Sequence, residues 1–335
     1  MRISVLSAAL AAVLALGGCA APAAPVTPSA TPELPTATIG LTYIPNVQFS
    51  PFYVADAQDS FTKAGVSAEL RHHGASEGLF TALVAGQEQF VVAGADEMLQ
   101  ARSQGMDLLA VSAYYRSYPV VVIVPAESPI ANLADLKGHS IGVPGKYGES
   151  WFGLQVALRN AGLTEADVEV KEIGYTQQAA LQTGKVVAII GFSYNDLVQS
   201  ALSSFATRSL PISDAEVPLV GASLITTTAF AKEHPEVVRS VVAGTLAGVK
   251  AVVAEPGVAM TASEDYIPGL DVPATKAAAE ATLTATVPLW KGADGVIDGR
   301  LDPAQWAQMA QFMGANGLTS TVQDPTLAMS NDYLA

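Results

Sequence analysis

The chain has 335 residues, half of them apolar, enough to bury the cores of two domains. Its 31 acidic residues outnumber 17 lysines and arginines, a net charge of −14, and no basic stripe runs along it, so nucleic acid is excluded as a partner. A single cysteine, Cys19, excludes an internal disulfide.

In chain order, Arg2 precedes an apolar run from Val5 to Leu16 that closes in Leu16-Gly17-Gly18-Cys19. The run is too short for a comfortable transmembrane helix, and small residues before a cysteine suit a peptidase that threads extended backbone through its site. Residues 1–19 resemble a bacterial lipoprotein signal, which implies acylation of Cys19 and a chain held by lipid at the outer face of the cell membrane. Residues 20–37 then carry Pro22, Pro25, Pro28, Pro32 and Pro35 among Ala, Thr and Ser. Such a composition favours solvated, extended backbone and reads as a tether.

From Thr38 the body alternates short β-like runs with helical patterns, which predicts an α/β fold with parallel sheets. TIGLTYI reads as a strand, 52–64 as a helix closed by Gly65, VSAELRHHG as a strand, 77–85 as a helix, FVVAGA as a strand and 96–103 as a helix. DLLAVSAYY and PVVVIVP are successive apolar runs. A second αβ series follows Pro125: LADLKG, the strand SIGVPG, a helix over 149–160, the strand VEVKEIGY, a helix over 177–182, the strand KVVAIIGF and a helix from Asn195. The apolar run VPLVGASLI then returns, and the remainder reads as helix. One lobe (38–124 plus 222–335) with a second (125–221) inserted into it crosses twice, which makes a hinge and places a cleft where strand ends face each other.

The segments YIPNVQFSPFYVAD, FVVAGADE, LADLKGHSIGVPG and GYTQQAALQTGKVVAIIGFSYND look like those of ABC-transporter substrate-binding proteins of the thiamine-pyrimidine-precursor type, a broad family with riboflavin-binding and aliphatic-sulfonate-binding relatives. The resemblance covers about residues 38–196. It implies a type II periplasmic-binding-protein fold, capture of a small-molecule nutrient, permease and ATPase subunits as partners, and a monomer.

The residues at successive strand ends are the candidates for ligand contact. Asn46 and Gln48 offer amides where the first strand ends, with Phe49 opening the helix behind them. Asp96 and Glu97 follow the third strand, where an acid can also cap the next helix. Tyr115 and Arg116 sit near the hinge and could stack on a flat heterocycle. In the second lobe GKYGESW joins a strand to a helix start, with Tyr147, Glu149, Ser150 and Trp151 combining stacking faces, an acceptor and backbone N–H groups. Tyr175, Tyr194 and Asn195 end two further strands. Acids outnumber bases in this set, so a sulfonate is disfavoured. A flat, donor-rich heteroaromatic fits, with the thiamine pyrimidine precursor first and riboflavin second.

Some relatives of the family are enzymes that make the thiamine pyrimidine with a cysteine-rich iron-binding segment, and no cysteine follows Cys19 here. His72 and His73, adjacent on a strand, face opposite sides and would not chelate one metal together. With no nucleophile elbow and no P-loop either, no catalytic residues, metal or cofactor are expected.

Overall fold

The protein is described as a computed structural model covering residues 33–74, 77–146, 148–212, 218–291, 295–321 and 323–334. The signal segment with Cys19, most of the tether, and Tyr147 lie outside the described residues.

Apolar β-branched runs make the central strands of both lobes, and most strands are followed by a helix that covers a sheet face. The first lobe opens with β1 (Thr36–Leu41), so the first strand takes the last two positions assigned to the tether. It continues with α1 (Ser50–Ala57), α2 (Ser60–Ala64), β2 (Ser67–His72), α3 (Thr81–Val84), β3 (Phe90–Gly94), α4 (Ala95–Ser103) and β4 (Leu109–Ala113). The helix expected over 52–64 is two helices, broken where Asp59 takes a left-handed conformation at φ 54°. The helix expected over 77–85 is a single turn, because Gly78 precedes it and Glu77 is drawn aside by Arg71 at 2.7 Å.

The second lobe holds β5 (Val120–Pro125), β6 (Ser140–Val143), α5 (Gly148–Asn160), β7 (Glu169–Glu172), α6 (Gln177–Gln182), β8 (Ala188–Phe192), α7 (Asp196–Leu202) and β9 (Thr207–Pro211). The chain returns through β10 (Ala222–Thr226) to α8 (Thr228–Glu233), α9 (Pro235–Ala254), α10 (Pro256–Ser263), α11 (Pro273–Trp290) and α12 (Pro303–Ala315). α9 is apolar enough by length and composition to cross a membrane, but it packs on α1 and α2 as a core helix.

The two sheets repeat one plan. Strand order is β2-β1-β3-β10-β4 in the first and β7-β6-β8-β5-β9 in the second. In each, β1 and β3, or β6 and β8, pair in parallel, while the strand that has just crossed from the other lobe runs antiparallel to its neighbours. The sheets are therefore mixed, not parallel as expected. A chain that leaves one lobe at the cleft enters the other at the cleft and must run away from it. For the same reason β5, paired with β8 and β9, belongs to the second lobe, so the first crossing is residues 114–119 rather than Pro125.

What fixes the first lobe is the bed under α1. A Cβ added at Gly248 of α9 would lie 1.9 Å from the carbonyl oxygen of Pro51, so glycine lets the helices approach to backbone contact. Phe52 and Tyr53 of α1 are fully buried there, and both point toward the cleft floor through Tyr114 and His72.

Candidate functional site

The C-terminal ends of β1, β3, β4, β6, β7 and β8 converge on a cavity of about 470 Å³ between the lobes, within the range of sites that enclose a small organic ligand. Of the residues singled out in the sequence, Gln48, Phe49, Glu97, Tyr115, Glu149, Ser150, Trp151, Tyr175, Tyr194 and Asn195 line it.

The first-lobe floor is held from beneath. The Asn46 side chain accepts from the Gln48 backbone N–H at 3.0 Å and caps the 3₁₀ turn Val47–Phe49, so Asn46 shapes the floor but does not line it. Tyr114 donates to the Gln48 carbonyl at 2.6 Å. His72 fixes the next layer: its Nδ1 sits 2.9 Å from the Tyr43 carbonyl, which can only accept, so Nδ1 donates and Nε2 accepts from the Tyr53 hydroxyl at 2.9 Å. Burial pushes the imidazole pKa down, consistent with this neutral tautomer.

His73 turns the other way, as strand alternation requires, to the Glu88 carboxylate at 2.9 Å. His73, Glu77 and Glu88 do place their ligand atoms within 4.8 Å of one another, a grouping the sequence did not suggest. The Arg71 guanidinium already bonds both carboxylates, at 2.7 Å and 2.5 Å, and supplies the cation there.

Two candidates lie away from the cavity. Arg116 is drawn to Asp298 at 3.0 Å and to the Arg300 carbonyl, because the segment before α12 passes beside the crossing. Asp96 is wholly buried behind the wall, where its Oδ1 accepts from the Glu97 N–H at 2.8 Å inside the first turn of α4.

An aromatic series runs from lobe to lobe: Tyr114 to Tyr115 at 4.9 Å between ring centres, Tyr115 to Tyr194 at 5.6 Å, and Tyr194 to Phe192 at 5.5 Å. Tyr194 also donates across the cleft to Gln48 Oε1 at 2.5 Å. At the mouth, Tyr43 of the first lobe meets Tyr175 of the second edge to face at 5.2 Å. Lys146 lies over the Trp151 ring at 5.2 Å and pairs with Glu165.

Electrostatically the site is acidic. Burial raises Glu97 and Glu149 well above the carboxylate range, and for Glu97 the nearby Glu149 adds to it. Burial likewise lifts Asp196, which accepts from the Phe192 N–H at 2.8 Å, to about 6. Among the described residues two bases line the cavity, His73 and Lys146, and both are engaged by glutamates.

The sequence reading missed Tyr43 and the amides Gln100, Gln104 and Gln155. A signal existed for two of these, since Glu97, Gln100 and Gln104 recur at helical spacing on one face of α4. Nothing in the sequence said that this face meets the second lobe.

Two αβ lobes on a double crossing, closed over a cavity at their strand ends, define a periplasmic-binding-protein fold. The chain belongs to the NMT1/THI5-like family, whose model matches residues 46–259. It is 30% identical over its whole length to riboflavin-binding protein RibY of Chloroflexus aurantiacus, covering 98% of that protein. It is 26% identical to a putative thiamine biosynthesis protein of Haemophilus influenzae, over 84% of this chain and 87% of that one. The periplasmic aliphatic sulphonate binding protein SsuA from Escherichia coli shares the fold at 20% identity and a TM-score of 0.67, over 88% of this chain and 97% of that one.

Proposed function

We propose that the protein captures a flat heteroaromatic vitamin between its lobes, riboflavin first, and delivers it to the permease and ATPase of an ABC importer. It does so as a monomer outside the cell membrane, tethered through acylated Cys19. The observation that carries this reading is the cavity itself, in which aromatic rings from both lobes flank acceptor carboxylates and the lining bases are already paired. A tricyclic ring with an imide N–H stacks on such rings and donates to such acids. The same pairing of bases disfavours a sulfonate.

Whole-length similarity to a riboflavin binder moves riboflavin ahead of the thiamine pyrimidine precursor that the sequence alone ranks first. The precursor stays as the second reading because a cationic amino group would be welcomed by Glu97 and Glu149.

The test is tryptophan fluorescence of the soluble body titrated with riboflavin, the aminopyrimidine precursor, thiamine and an alkylsulfonate. Saturable quenching by riboflavin alone supports the first reading. A response to the aminopyrimidine alone transfers the assignment to it, and a response only to the sulfonate overturns both.

A further inference from the structure

We propose that Glu97 of α4 and Glu149 of α5 share one proton across the closed lobe interface, so that closing the cleft takes up a proton and alkaline conditions favour the open form. This rests on the reading of the interlobe cavity as the ligand site, but not on the identity of the ligand.

The geometry is set by Gly94, the last residue of β3. The point where a Cβ would stand there lies 2.5 Å from Asp96 Oδ1, 3.0 Å from Glu97 Oε2 and 3.4 Å from Glu149 Oε1. Three carboxylates, two from the first lobe and one from the second, thus meet over a residue that has no side chain. Asp96 is wholly buried beside the Tyr118 hydroxyl, and Glu149 Oε1 is buried without a hydrogen-bond partner. Glu97 accepts from the Gly94 N–H at 3.3 Å.

Among the described residues, nothing cationic answers these acids. The remaining titratable groups that bear on them are tyrosines: Tyr115 and Tyr118 from the crossing and Tyr194 after β8. β3, β5, β6, β8 and α12, which pack against α4 or α5, carry no ionisable side chain. Asp135, in the turn Leu133–Leu136 against α5, is spent on the Ala131 and Asn132 N–H groups. The two lining bases, His73 and Lys146, are held by Glu88 and Glu165.

Like charges that converge on one point in a low-dielectric site repel, whereas one proton taken up by the pair relieves that repulsion and lets the protonated acid donate to its neighbour. Opening the cleft separates α4 from α5 and returns both acids to water. The closed form therefore holds more protons than the open form above the ordinary carboxylate range, and closure weakens as pH rises through the raised values.

The experiment follows small-angle scattering of the ligand-free protein, and riboflavin affinity in parallel, from about pH 5.5 to about pH 8. The wild type is expected to expand as pH rises and to bind about tenfold more weakly at the alkaline end, with roughly one proton taken up per ligand in calorimetry in buffers of different ionisation enthalpy. Glu149→Gln and Glu97→Gln, whose amides supply the missing hydrogen, are expected to flatten the scattering response. Scattering that is flat in the wild type, or that keeps its pH response in both variants, overturns the proposal; the second result would point to Asp196 instead. Absence of riboflavin binding at every pH would sink the ligand assignment alone, because the scattering still decides the proton.

Discussion

The two walls of the cleft are built differently. On the first-lobe side, Gln48, Phe49, Tyr114 and Tyr115 are buried and already bonded or packed, Gln48 from below by Tyr114 and Phe49 against His72. On the second-lobe side, Trp151 and Asn195 are half-buried, Tyr175 is 40% exposed, and Lys146 is exposed. Gln48, Phe49, Tyr114 and Tyr115 are settled before a ligand arrives, while Trp151 and Tyr175 still have apolar surface to cover. A clamshell built this way fixes ligand orientation with one lobe and gains closure energy with the other, since remaining apolar exposure is what a ligand can remove from water.

That contrast can be broken most severely from beneath the fixed wall. Gly248→Ala puts a methyl group into the Pro51 carbonyl, so α1 must move off α9; a loss of roughly 3 kcal/mol in unfolding free energy is expected by urea denaturation, with ligand binding lost alongside it. On the adjustable wall the outcome should separate. Trp151→Ala is expected to weaken binding by about 2 kcal/mol, some thirtyfold, with little change in melting temperature, because the ring lies at the cavity rather than in the deep core. Equal losses of stability and binding in that variant would mean that Trp151 is a packing residue and the two walls are alike.

Smaller effects sharpen the picture. Tyr194→Phe deletes the one bond that Gln48 Oε1 receives across the cleft and should cost about 1 kcal/mol of affinity while leaving the lobes folded, as circular dichroism would report. Lys146→Ala removes a solvated pair with Glu165 and a cation over Trp151, and a change within about 1 kcal/mol is expected in the same titration.

Much of the fold was legible because period and punctuation carry it. Apolar β-branched runs such as VVVIVP and AIIGF read directly as strands, and Gly184 marks the end of the helix before AIIGF. β9 was not legible: TRSLP is a polar edge strand that bonds only β5 and ends at proline. In the site, strand-end position found ten cavity residues, yet it could not tell Asn46, which caps its own turn, from Gln48, whose side chain reaches Tyr194. Nor could it foresee that Arg116 would be claimed by Asp298, 182 positions later in the chain.

By itself, then, the sequence determined what depends on neighbours along the chain: an α/β body of two series, the order of its elements, and which strand ends carry amides, acids and rings. Tertiary structure alone decided what depends on crossing: that β5 joins the second sheet, that the α4 stripe of Glu97, Gln100 and Gln104 faces α5, and that acids from two lobes meet over Gly94. The physical reason is range. Propensity and capping act within a few residues, whereas the field at Glu97 is set by a carboxylate 52 positions away that only the closed hinge brings near.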